Sequence, residues 1–350
     1  MTESRTGIGG RGSSYNPRNR FEPLAFVPDG AAAGPSTQLL RDTSRSIIAY
    51  NDSPDVGFEA SVNPYRGCEH GCIYCYARPT HEYLGFSAGL DFESRILVKE
   101  EAPELLRKEL ASPRWKPQVI ALCGVTDPYQ PVERRLELTR GCLKVLAEYR
   151  NPVAIVTKNH LVTRDVDLLR ELAGRDAAVV FISVTTLDVG LCGRMEPRAS
   201  QPRLRLDAIR ALTEAGVPVG VLVAPVVPAL TDHEMPAILE AAAKAGAGCA
   251  GYSLLRLPFG VKDLFERWLE ENYPDRKDKV LNRVREIRGG RLNDARFKTR
   301  MKGQGIFAEQ VEGLFRATCR KLGLTRRAWN LSTASFRVPS DQLSLFDGGR

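Results

Sequence analysis

Short apolar runs alternate with amphipathic stretches over most of this chain. Five runs, at residues 118–123 (QVIALC), 152–157 (PVAIVT), 178–184 (AVVFISV), 217–224 (VPVGVLVA) and 249–255 (CAGYSLL), are apolar almost throughout. Continuous rather than alternating apolarity predicts strands buried on both faces. Between them, residues 101–111, 132–149, 163–174, 201–216 and 232–246 carry apolar side chains at three- and four-residue spacing. That spacing predicts helices with one buried stripe. With an opening strand near residues 60–65, about six βα units follow one another, an α/β pattern that predicts a parallel sheet covered by helices. A doubly wound sheet and an incomplete (β/α) barrel both fit the pattern.

The pattern changes at either end. Residues 1–45 are rich in Gly, Ser, Arg and Pro without apolar period, which predicts a flexible or surface-draped arm, ordered best over residues 10–21. After a core at 46–260, residues 260–271, 277–288 and 307–323 read as helices of an accessory region spanning 261–336. Inside it, residues 288–305 (RGGRLNDARFKTRMKGQG) carry Arg288, Arg291, Arg296, Lys298, Arg300 and Lys302 against one acid, Asp294. This segment reads as a nucleic-acid-facing loop or as plain solvated surface. Residues 337–350 are expected to form a mobile tail.

Composition narrows the class. Among 350 residues, 43% are hydrophobic and 26% charged, a globular balance. No run of 18 apolar residues exists to span a membrane, and the first twenty residues lack the apolar stretch of an export signal. The expected location is therefore cytoplasmic, where the eight cysteines stay reduced. A net charge of +8 and a pI near 9.1 favour a polyanionic partner.

Chemistry concentrates at residues 63–76, NPYRGCEHGCIYCY, which place Cys68, Cys72 and Cys75 within eight residues. Three soft sulfur ligands select an iron–sulfur cluster, zinc or copper(I). A structural zinc site wants four protein ligands, and no second cysteine pair of that kind follows. A Cys3His zinc knuckle completed by His70 or His81 stays open as an alternative. A cubane cluster on three cysteines leaves one iron without a protein ligand.

The motif resembles that of the radical SAM superfamily, and more closely a bacterial family related to spore photoproduct lyase. NPYRGCEHGCIYCYARPTH, TDPYQPVER and MEPRA carry the resemblance, which covers residues 55–260. It implies a partial (β/α)6 barrel and a [4Fe-4S] cluster on Cys68, Cys72 and Cys75. The fourth iron would take the amino and carboxylate groups of S-adenosylmethionine (AdoMet). It also implies cofactor contacts at the carboxyl ends of the strands. Thr126 and Asp127 would face the methionine amino group, and Lys158 and Ser183 the methionine carboxylate and ribose; from its own position after the fourth strand, Arg198, with Glu196, either lines the same mouth as a cofactor contact or caps the next helix. Catalytic roles fall to Tyr74 and Tyr76, which flank the last cysteine, and to Cys123, which stands near the lyase's hydrogen-donating cysteine. Cys123 lies four residues before Asp127 where the lyase has three, and Gly124 replaces a serine, so Cys123 is either a donor or a small core residue.

In the tail, residues 342–346 (QLSLF) resemble the pentapeptide by which bacterial repair proteins dock on the sliding clamp. Together these features lead to an enzyme that cleaves AdoMet reductively, using an electron donor such as flavodoxin or ferredoxin. The 5′-deoxyadenosyl radical released would abstract hydrogen from a substrate, foremost a damaged DNA base. The alternatives are radical modification of RNA, a protein or a small molecule, and a zinc-stabilised DNA-binding adaptor without catalysis.

Overall fold

A computed structural model describes residues 10–22, 36–326 and 330–339. Among the described residues ten strands are present: β1 (Gln38–Arg41), β2 (Ile48–Tyr50), β3 (Ala60–Val62), β4 (Tyr65–Arg66), β5 (Arg95–Val98), β6 (Ile120–Leu122), β7 (Val153–Thr157), β8 (Ala178–Ser183), β9 (Val219–Val226) and β10 (Cys249–Leu254). Strands β3, β6, β7, β8, β9 and β10 are parallel and lie side by side in chain order, with β2 antiparallel on the outer edge of β3. A doubly wound sheet reverses its strand order at a switch point, whereas this order never reverses. The winding is that of a barrel, left open because β2 and β10 stand at opposite edges.

The expected strands and helices appear with shifts of one to three residues at most ends. Val153, Ile155, Val180, Ile182, Val219 and Val221 are all at most 2% exposed and mark one fully buried face on each strand, while Ala154, Val156, Phe181 and Leu222 on the other face are half-buried. Residues 132–149 form two helices rather than one, Glu133–Leu136 and Leu138–Tyr149, because Glu137 between them adopts φ +51°. The unbroken apolar period hid that joint. No helix among the described residues is long and apolar enough to cross a membrane.

Three features depart from the sequence-based expectation. A second sheet, ordered β1-β5-β4, buttresses the cysteine loop; its strands QLLR, YR and RILV are too short and too charged to announce themselves. Strand β1 lies in the stretch expected to be flexible, and its parallel pairing with β5 explains its order. The helices Val261–Asn272 and Pro274–Ile287 also do not make a separate unit. Phe265, Trp268 and Val284 share one apolar cluster with Cys72, Ile73 and Tyr74 of the cysteine loop. The composition change near residue 260 therefore marks no break in the core.

Candidate active site

The cysteine loop leaves β3 through β4 at the carboxyl end of the barrel, where the chemistry of such folds resides. Its path is a succession of tight turns, with Gly71 N donating to Cys68 O at 3.3 Å and Cys75 N to Cys72 O at 3.1 Å. Gly71 takes φ +66°, and a Cβ there would lie 2.6 Å from Glu93 Oε2, so glycine is required on both counts. The N-terminal segment lies directly on this turn. A Cβ on Gly12 would fall 1.7 Å from Gly71 O.

Two fully buried charges fix the loop from behind. Arg78 donates Nε to Cys72 O (2.9 Å), Nη2 to Gly71 O (3.1 Å), and Nη1 to Ala88 O and Gly89 O (3.1 and 2.9 Å). Its Nη2 also pairs with Glu93 Oε1 at 2.5 Å, both side chains being 0% exposed. Glu93 accepts Gly12 N (2.9 Å) and Ser13 N (2.8 Å) as well. A buried ion pair is tolerated only when its remaining donors and acceptors are satisfied, and here they are. Neither residue was recognised from sequence. Arg78 follows the last cysteine closely enough to raise suspicion, whereas Glu93, in an ordinary DFES stretch, gives no signal.

The donor set fits a cluster. All three cysteines are free, Cys68 and Cys72 buried and Cys75 half-buried. Burial pushes the Cys72 thiol up and, with Cys68 beside it, raises Cys75 to about 11. Thiolates form here only when a cation supplies compensating charge, as metal binding does. Among the described residues no three His, Cys, Asp or Glu side chains converge tightly enough for a single metal ion. Cysteines on a cubane bind different irons and need not converge on one point. His70 lies against Cys68, but both its ring nitrogens are engaged: Asn159 Nδ2 stands 3.1 Å from its Nε2 and Asp127 Oδ2 3.3 Å from its Nδ1. The ring of His81 packs against Phe86 and Phe92, with Nε2 3.0 Å from Arg95 O. The zinc-knuckle alternative therefore finds no assembled ligand set.

At the strand ends the expected residues divide. Lys158, just past β7, reaches Thr185 Oγ1 (3.1 Å), Ala224 O (2.9 Å) and Glu196 Oε1 (3.2 Å), with its ammonium 5.7 Å from the Tyr74 ring centre. Burial, reinforced by Arg205, brings its pKa down to about 8. Glu196 binds the Tyr74 hydroxyl through Oε1 and Arg205 Nη2 through Oε2, and it accepts Thr185 Oγ1 at 2.7 Å. Arg205 Nη1 donates to the carbonyl of Ser183 (3.0 Å), the buried last residue of β8. Lys158, Ser183 and Tyr74 thus meet around Glu196 and Arg205; the role of Arg205 was not foreseen.

Asp127 and Arg198, expected at the cofactor, are both held by protein partners. Asp127 accepts Thr157 Oγ1 (2.7 Å), Lys158 N (2.8 Å) and Tyr129 N (2.9 Å) while facing His70. Burial opposes its charge, but His70 and these donors hold its pKa below the usual carboxylate range. Its carboxylate is spent tying the cysteine loop to β7. Thr126 supports the same loop, donating Oγ1 to Gly67 O at 2.7 Å. Arg198 donates its backbone N to His70 O at 3.3 Å, and its side chain turns to other partners. It pairs with Glu69 at 3.1 Å and donates to Thr37 at 3.2 Å, lining a cavity of about 630 Å³ with Arg11 and Arg135.

Cys123 lies one residue beyond β6, buried, with its thiol raised to about 12 by burial and by Asp127. Half-exposed Tyr76 donates its hydroxyl to Gly124 O, the next residue, at 2.7 Å. Hence Cys123 and Tyr76 share one side of the mouth, and Tyr74 and Lys158 form a separate group.

Known proteins agree with this geometry. The Radical SAM superfamily model matches residues 62–242. An uncharacterised protein of Mycobacterium tuberculosis is 38% identical over 232 residues, 66% of this chain and 67% of the relative. One from Methanocaldococcus jannaschii is 28% identical over 228 residues, 65% and 82% of the two chains. Among solved structures, spore photoproduct lyase complexed with dinucleoside spore photoproduct superimposes with a TM-score of 0.55 at 17% identity, over 82% of this chain and 80% of that one. A mutant of that lyase with bound AdoMet and the dinucleoside gives the same TM-score at 18% identity over the same shares of the two chains. A family model over half of the chain, a relative at 38% identity and a barrel of matching topology together place this protein in the radical SAM superfamily, whose members use a [4Fe-4S] cluster and AdoMet.

Proposed function

We propose that this radical SAM enzyme repairs a damaged base in DNA by a lyase-like reaction. One observation carries the proposal: a buried thiol, Cys123, stands at the end of β6 beside Tyr76. A thiol whose pKa lies near 12 keeps its hydrogen at neutral pH, and an S–H bond is the weak bond a carbon radical needs for its return to a closed shell. The ligands of the lyase structures, AdoMet and a dinucleoside spore photoproduct, support the same reading for a chain of this fold.

Cys68, Cys72 and Cys75 would hold the cluster, and Lys158, Ser183 and Thr126 would receive the polar groups of AdoMet. When bound, the pair supplies a 5′-deoxyadenosyl radical, able to take a hydrogen atom from carbon. The polypeptide orients and shields. Tyr74 and Lys158 are held still by Glu196, so the site is shaped before a ligand arrives. After the substrate radical rearranges, the Cys123 S–H bond breaks and a substrate C–H bond forms. Tyr76, whose hydroxyl donates to Gly124 O beside Cys123, would pass its O–H hydrogen to the thiyl sulfur, and the tyrosyl radical left behind would take one electron from the external donor and one proton to restore the phenol. A damaged base costs less to extrude into the mouth than a paired one, which aids selection.

The test is anaerobic reconstitution with AdoMet and dithionite, then 5′-deoxyadenosine assay with lesion-bearing DNA, intact DNA and RNA. Lesion-bearing DNA is expected to raise 5′-deoxyadenosine most; stimulation by RNA alone would end the DNA reading. Cys123→Ala is expected to keep AdoMet cleavage while diverting the substrate radical to unrepaired products, read by mass spectrometry. An unchanged product spectrum would return Cys123 to the core.

Partners follow from the same reading. A flavodoxin or ferredoxin would supply the electron in a reducing cytoplasm, and residues 342–346 would tether the enzyme to the sliding clamp. That pentapeptide lies outside the described residues. Its deletion is expected to leave AdoMet cleavage unchanged and to abolish retention on immobilised clamp; equal retention would dispose of the tether.

A further inference from the structure

The arginine-rich segment at 288–302 has no part in the chemistry above, yet it is anchored to the rim of the mouth. Buried Arg288 donates Nη2 to Leu254 O (3.1 Å) and Leu255 O (2.7 Å) at the end of β10, and Nη1 to Thr299 O (3.0 Å). Across the rim, Asp55 accepts Lys298 N at 2.6 Å and pairs with Arg300 Nε at 2.5 Å. The segment is thus pinned at both ends, to β10 and to the turn between β2 and β3. Pinned this way, it exposes Arg291, Arg296, Lys298, Lys302 and the half-exposed ring of Phe297.

Arg256, just past β10, completes the rim. Its guanidinium lies 5.3 Å from the Tyr76 ring centre, with Nη1 3.4 Å from Met301 Sδ. Its Nε is buried without a hydrogen-bond partner, and among the described residues no carboxylate pairs with it. The nearby Asp55 is already held by Arg300, whose own guanidinium stacks 4.5 Å from the Phe297 ring centre. A partly buried cation without a carboxylate partner and with a second cation beside it is stabilised by an anion from outside. Guanidinium donors match phosphate, and flanking aromatic faces match unstacked bases.

We infer that Arg256, Tyr76 and the 288–302 segment form a binding surface for the phosphodiester backbone of an unpaired or distorted nucleic-acid strand. Arg256 takes a phosphate at the lip of the mouth, and Phe297 offers a stacking face outside it. The inference rests on the nucleic-acid reading of the function and adds the residues that grip the strand. An acidic peptide would meet the charges but gain nothing from the two aromatic rings.

The experiment uses the full, reconstituted chain under anaerobic conditions. Fluorescence anisotropy follows a labelled single-stranded oligonucleotide, the matching duplex and a polyglutamate peptide across a KCl series. Arg256→Ala is expected to weaken single-strand binding about tenfold and to lower the salt slope by about 0.7. Arg256→Lys should recover the slope and only part of the affinity, because one ammonium replaces a planar fork. Phe297→Ala is expected to weaken binding about fivefold or more with the slope unchanged. Wild-type binding that Arg256→Ala leaves intact in both affinity and slope would overturn this surface alone. Wild-type protein that ignores both oligonucleotides, or prefers polyglutamate, would overturn the surface and the nucleic-acid reading together.

Discussion

Alanine at Cys68, Cys72 or Cys75 is expected to reduce cluster iron and AdoMet cleavage to background, each substitution by itself. Every cysteine is assigned one iron, and a cubane missing one thiolate exposes that corner to solvent and loss. The surrounding fold offers no substitute. Burial disfavours charge at Cys72 and Cys75, and the side chains of His70 and Asp127 face each other. Iron and sulfide analysis, with the spectrum of the reduced protein, measures the result. Cys142→Ala and Cys249→Ala serve as controls, since both residues are buried in the fold away from the loop and should leave iron content unchanged. A full cluster and normal cleavage in any one of the three loop variants would defeat the ligand assignment.

The second large effect falls on a residue that touches no ligand. Arg78→Ala leaves Glu93 as an unpaired buried charge and removes donors from Gly71 O, Cys72 O, Ala88 O and Gly89 O. Breaking a buried pair from one side costs about 3–5 kcal/mol, so a pronounced fall in denaturant midpoint is expected. Iron uptake should fall with it, because the turns that space the cysteines lose their support. Arg78→Lys is expected to recover little, since one ammonium cannot reach carbonyls on several sides as a guanidinium does. The double variant Arg78→Ala/Glu93→Ala should be less destabilised than the sum of the singles, the mark of a coupled pair. Wild-type stability and iron content in Arg78→Ala would remove the pair from its structural role.

Much of the barrel was legible because its signal is local. Runs such as AVVFIS and VGVLVAPV are continuous in apolarity, and β8 and β9 lie where those runs are. The small sheet was illegible for the opposite reason. Two residues of β4 acquire meaning only when β5 pairs with them about thirty positions later. The site divides in the same way. Cysteine spacing is a local pattern and survives in the sequence, whereas the partners of Asp127 come from three separate segments. A carboxylate at a strand end gives the same one-dimensional signal whether it meets a ligand or a neighbouring loop.

The sequence by itself determined the α/β class, the order of the strands and the three thiols, because periodicity and spacing are properties of neighbouring residues. The motif resemblance already implied the partial barrel that the strand order bears out; tertiary structure alone decided that Arg78 and Glu93 lock the cysteine turns. It also decided that Asp127 bonds the chain at Thr157, Lys158 and Tyr129 and that, among the described residues, Arg256 pairs with no carboxylate. Each of these depends on which distant groups share a low-dielectric space, where an unpaired charge is costly, and chain order carries no record of that proximity.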